Sequence, residues 1–227
     1  MPTTESKRVT TVKPPRCEPR IVTQWVDNSE LGRERGPVAL GQAWVEVLLR
    51  PRYFFARKVA PGDQAPGLTF AAAVVFVAEA VRLATVPGGY PVVADQPIAS
   101  AVLWLLALVV LVMPAGIHLT AALQTVILIG TVDGRAGVSE TVQVICYSLA
   151  PLAFLGVPNV WIQAVVVLWS GALLVYGMAT IHDISLPKAL VVAVVPGVIL
   201  LGYGFGGNAD VQAAWELLTE RVAAMTG

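Results

Sequence analysis

The sequence predicts an all-α polytopic membrane protein: five transmembrane helices in a compact bundle, with amphipathic interfacial helices at both flanks. Three observations carry that expectation. Hydrophobic residues make up 56% of the 227 and charged residues 13%, with a mean hydropathy of +0.71, against roughly 25% charge in an average soluble chain. Five windows approach the roughly 20 apolar residues that a bilayer core about 30 Å thick asks of a helix. None alternates strictly, so helices rather than barrel strands satisfy the backbone within lipid.

Residues 1–36 are polar with little to bury and read as a cytoplasmic, largely disordered tail. They lack the charged start and apolar core of a signal peptide, so the mature chain is expected to begin near Met1. Over residues 37–60 an amphipathic juxtamembrane helix is expected: Leu40, Trp44, Val47 and Leu48 share one face, and Gln42, Glu46 and Arg50 the other. Arg50, Arg52, Arg57 and Lys58 surround Tyr53, Phe54 and Phe55. That mixture suits the membrane interface, with the cations at anionic lipid headgroups. A helix packed on the inner end of the bundle is the alternative.

The membrane domain fills residues 61–206. Its spans run from Gly67 to Val86, from Ile98 to between Leu119 and Ile129, from Thr141 to Leu155, from Val160 to Ile181 and from Lys188 to Phe205. The connections are short and rich in turn formers, which makes neighbours antiparallel. About 32 residues in the second span would reach roughly 48 Å at 1.5 Å rise. It therefore tilts and bends at Pro114, or its end, TAALQTVILI, lies near the surface. Residues 207–227 form an outer amphipathic helix, with Val211, Trp215, Leu218, Val222 and Met225 at spacings of three and four and Asn208 or Asp210 as its cap.

Eleven of the 15 basic residues precede Gly67: Lys7, Arg8, Lys13, Arg16, Arg20, Arg33, Arg35, Arg50, Arg52, Arg57 and Lys58. Arg135 and Lys188 fall in or beside loops on the same side. Positive charge marks the cytoplasmic face, so the N-terminus is expected in the cytoplasm and the C-terminus outside a multi-pass cell-membrane protein.

Glu79 and Arg82 stand three apart within the first span and can pair. Intramembrane charges are functional candidates by default. A second group gathers on the cytoplasmic side: His118, Glu140, His182 and Asp183. Two histidines and two carboxylates can relay protons or bind a divalent metal, but HExxH is absent, and capping is the default reading, with Ser139 and Glu140 at a helix start and His182 at a helix end. Pro114, Pro151 and Pro196 break three spans, as in transporters, where broken helices build midplane sites. Cys17 lies in the tail and Cys146 in a span, so both read as free thiols. Phosphate-loop, GxSxG and dinucleotide-binding motifs are missing. No metal, cofactor or nucleic-acid partner is expected, and no enzyme activity.

Three stretches together resemble the Yip domain family, the Ypt/Rab-interacting five-span membrane proteins and their prokaryotic relatives. They are the P-x-x-F-F element at Pro51 to Phe55, SETVQVICYSLAPL at Ser139 to Leu152, and Gly177, His182, Ile184 and Ser185 within GMATIHDISLPKA. The likeness covers residues 45 to 205, and TQWVDN, GRERGP and APGDQAPG look like a haloarchaeal member. It implies five spans, a cytoplasmic N-terminus and self-association or partner binding. In eukaryotic members it goes with vesicle trafficking and a DLYGP segment that this chain lacks. It carries no catalytic residues across. The leading expectation is a non-enzymatic organiser of membrane lipids, of its own copies or of other membrane proteins. The alternative is a small permease or ion-coupled carrier using Glu79 and the broken helices.

Overall fold

A computed structural model describes residues 36–226 apart from 60, 87 and 89; the tail expected over 1–36, with Cys17, lies outside the described residues except for residue 36. The described residues form helices α1 (Pro37–Leu49), α2 (Pro51–Lys58), α3 (Ala65–Thr85), α4 (Pro97–Ala107), α5 (Met113–Thr131), α6 (Val138–Ser148), α7 (Val160–Ile181), α8 (Leu186–Gly197) and α9 (Gly207–Thr226). Proline at the first or second position opens α1, α2, α3, α4, α5 and α8. There its missing N–H costs nothing and its fixed φ suits the first turn. Asn159 caps α7, its side chain accepting from the Trp161 and Ile162 amides at 3.0 and 3.3 Å.

Among the described residues four helices are long and apolar enough to cross a membrane: Ala65–Thr85, Pro97–Thr131, Val160–Ile181 and Leu186–Gly204. The remaining expected span is shorter, Val138–Phe154. It begins as α6 and tightens at Pro151 into a 3₁₀ turn, Ala150–Phe154. Residues 141–152 are all buried. α3, α5 and α7 pack around α6, so a break that bare lipid would penalise is enclosed by protein.

The other two prolines widen their helices instead of ending them. A π stretch, Leu108–Val112, joins α4 to α5 just before Pro114, and another, Val198–Gly204, follows Pro196. Proline cannot donate and crowds the carbonyl four residues back; a wider turn accommodates both. The second span is thus one helix of 35 residues, and its end does not lie apart on the surface.

One end of the bundle collects the termini of α2, α5, α7 and the starts of α6 and α8. His182 at the end of α7 meets Ala136 before α6, and Arg52 of α2 lies over Tyr176 of α7. The start of α9 sits farther along, where Gly207 approaches Val167.

Candidate functional site

The basic stretch is two helices, broken at Arg50. Arg50, Arg52 and Arg57 are exposed and Lys58 half-buried. Their platform is fixed by what lies beneath. Phe54 and Phe55 are fully buried. Phe54 stacks edge-on to Tyr147 with centroids 4.7 Å apart, and Phe70 approaches the same tyrosine at 5.1 Å. A Cβ on Gly177 would stand 2.6 Å from Val144 Cγ1 and 3.0 Å from Phe55 Cε1, so only glycine lets α7 close on both neighbours. The Arg52 guanidinium lies 5.7 Å from the Tyr176 ring centre and that of Arg57 5.3 Å from Tyr53, both in cation–π range.

α1 packs along the bundle. Ala39, Ala43 and Val47 are buried, with Leu40, Trp44 and Leu48 packed at the margin. Of the expected face only Val47 is fully buried; the helix is turned toward two alanines four residues apart that permit close approach. Trp44 Nε1 donates to the Ala150 carbonyl at 2.8 Å, so α1 is latched to the break in the third span.

Glu79 and Arg82 do pair. Arg82 Nε donates to Glu79 Oε2 at 2.8 Å, Arg82 Nη2 bonds Oε1, and Trp104 Nε1 donates to that same Oε1 at 2.8 Å. Both carboxylate oxygens are therefore engaged, and the pair ties α3 to α4. Close by, a Cβ on Gly156 would fall 2.0 Å from the Ala78 carbonyl oxygen, and Thr85 Oγ1 donates to Gly156 O at 3.1 Å. This arrangement clamps the far ends of three segments.

The four residues expected on the cytoplasmic side do not converge. His118 is exposed, its Nδ1 2.7 Å from Pro114 O in its own helix, and Asp183 is exposed with a left-handed φ of 51°. Among the described residues no three His, Cys, Asp or Glu side chains are placed to hold a metal ion. His182 is buried: the Ala136 amide donates to Nδ1 at 3.2 Å and Nε2 lies 3.3 Å from Thr141 Oγ1. Burial pushes it below the ordinary histidine value; Glu140 opposes that and Arg135 adds to it. Glu140 stands in the first turn of α6, but the N-cap is Gly137 and not Ser139, whose hydroxyl has no hydrogen-bond partner. The chain is already helical at Val138, one residue before Ser139, so the serine sits inside the first turn.

The breaks have their own partners. Pro196 frees the carbonyl of Val192, and Gln124 Nε2, fully buried on α5, donates to that oxygen at 3.1 Å. Trp44 is expected on the apolar face of its helix but without its acceptor, and Gln124 and Trp104 are not singled out by the sequence. A polar side chain within an apolar span is the available signal for each, since buried donors there need a specific acceptor.

A family model described as the Yip1 domain matches residues 45–207, well over half of the chain. No curated protein and no solved structure matches significantly.

Proposed function

This chain belongs to the Yip1 domain family, and on that premise we propose that it is a non-enzymatic organiser of the cell membrane. The basic strip is its working surface. Three exposed arginines, held in place by fully buried Phe54 and Phe55, carry this reading. A rigid display of cations at an interface attracts anionic lipid headgroups and acidic segments of membrane partners, each cation contributing about 1 kcal/mol. The preponderance of basic residues before Gly67 supports a cytoplasmic position for this surface and the N-terminus, with α9 outside. Another copy of the chain or a second membrane protein is the partner scaffolded there. Glu79 supports this role over a carrier, because its oxygens are committed to Arg82 and Trp104.

Crosslinking in native membranes followed by mass spectrometry tests the reading. Replacing Arg50, Arg52 and Arg57 together by Gln is expected to remove most crosslinked partners, and Glu79→Gln to keep them. Partners unchanged in the triple variant would overturn it. So would solute uptake by vesicles that Glu79→Gln abolishes.

A further inference from the structure

A groove of about 1010 Å³ runs along one flank of the bundle between α7, α8 and α9. Leu168 and Leu174 form one wall and Leu190, Val194 and Leu201 the other. Its floor includes Gly171, where an added Cβ would meet nothing nearer than Leu201 Cδ1 at 3.8 Å. From Leu186 to Leu201 the wall extends for about 22 Å at 1.5 Å rise, more than the roughly 15 Å between headgroups and bilayer midplane. The wall near Val198, Leu201 and Gly202 is the π stretch that follows Pro196, a distortion that recurs at functional sites.

The two mouths differ in charge. At one, Tyr176 lines the groove beneath the Arg52 guanidinium; exposed Lys188 stands at the same end but on the face of α8 turned away from the lining residues Leu186, Leu190 and Ala193. The loop there adds one carboxylate, Asp183, so the balance stays positive. The other mouth, made by Asn208, Gln212 and Trp215, has no cation in its lining and adjoins the Glu216 carboxylate, which accepts from Gln212 Nε2 at 2.9 Å.

We propose that this groove holds the acyl tails of one anionic glycerophospholipid, its phosphate headgroup at Arg52. The inference deepens the lipid-organising role proposed above and rests on it. It adds a bound lipid, seated in a shaped site, to the general attraction of the basic strip. Charge at one mouth and apolar walls of membrane depth match both parts of that ligand.

The test uses the full chain, purified in detergent and supplied with phosphatidylglycerol or phosphatidylcholine. Native mass spectrometry is expected to find one phosphatidylglycerol retained per chain, with a rise in unfolding temperature that phosphatidylcholine does not match. Arg52→Gln weakens retention about fivefold, whereas Lys188→Gln, on the other face of α8, weakens it less. Gly171→Phe fills the floor and abolishes retention while leaving the unfolding temperature in detergent alone unchanged. As a second measurement, phosphatidylglycerol with a diazirine-bearing tail should label wild-type residues between 167 and 202. Retention surviving in Gly171→Phe, or label confined to α4 and α5, overturns the proposal. A dimer that Gly171→Phe dissociates, with no lipid retained, assigns the groove to a second copy. Gly171→Phe leaves the basic strip intact, so partner crosslinks persist if only the lipid site is wrong and are absent already in the wild type if the organising role is wrong.

Discussion

The second and third spans are both apolar and both contain a proline, yet they are built for opposite surroundings. In the long helix from Pro97 to Thr131 only 11% of the most apolar window is buried, with Leu103, Leu106, Leu111 and Val126 all more than half exposed. In the short one every residue from 141 to 152 is buried, including Thr141, Gln143 and Ser148. Hydrophobicity does not decide which span goes inside, because lipid receives leucine as readily as protein does. What needs protein around it is polar side chains and freed backbone groups. The more polar span is the core, and the greasier one faces outward.

The same substitution should have opposite effects in the two regions. Gly156→Ala, in the turn directly after the short span, places a Cβ 2.0 Å from the Ala78 carbonyl oxygen, a backbone atom that cannot step aside. It is expected to cost about 3 kcal/mol or more. Gly116→Ala lies in the interior of α5 with nothing within 4 Å, and removing glycine from a helix interior stabilises by about 0.5–1 kcal/mol. Denaturation of the purified protein in mixed micelles measures both. Equal effects would mean that the two spans do not differ as described.

A smaller effect sharpens the comparison where the long span meets α8. Gln124→Leu removes the donor that serves the Val192 carbonyl left open by Pro196. A buried acceptor without its partner costs about 1–3 kcal/mol. Pro196→Ala returns a backbone N–H, so Gln124→Leu should cost much less in that background. A double-mutant cycle reads the coupling directly. Strict additivity would show that the glutamine bond is not the remedy for the proline.

Much of this arrangement is legible in the sequence, for identifiable reasons. The apolar windows and the basic bias depend on composition, and the helices fall where those windows lie. Glu79 and Arg82 pair because three-residue spacing on a helix leaves little alternative. Trp104 as the third member, and Trp44 reaching Ala150, depend on which faces of separate helices meet. No local pattern encodes that. The turning of α1 onto Ala39 and Ala43 was hidden because alanines carry little weight in a hydrophobic pattern, though they govern how closely helices approach. The grouping of His118 with His182 failed for the same reason as Trp104 was missed: a shared membrane depth says nothing about the angle around each helix.

The smallest effect expected concerns the turn that joins the two compared spans. The Ala136 amide donates to His182 Nδ1, so that nitrogen must be unprotonated and the ring proton sits on Nε2, toward Thr141 Oγ1. Thr141 in turn donates to Gly137 O at 3.1 Å. Charging the ring would set a proton on Nδ1 against an N–H. Burial holds the folded value below the ordinary histidine value of about 6.5. In the interval between the folded and ordinary values the unfolded chain binds more protons than the folded one, and stability falls as pH is lowered through it. Above that interval the stability is fully present. His182→Gln should lose about 1 kcal/mol of hydrogen bonding near neutral pH and then show a flatter profile from about pH 8 to about pH 5. Denaturation midpoints of the two proteins across that range check this, and parallel curves would show that His182 does not report on the turn.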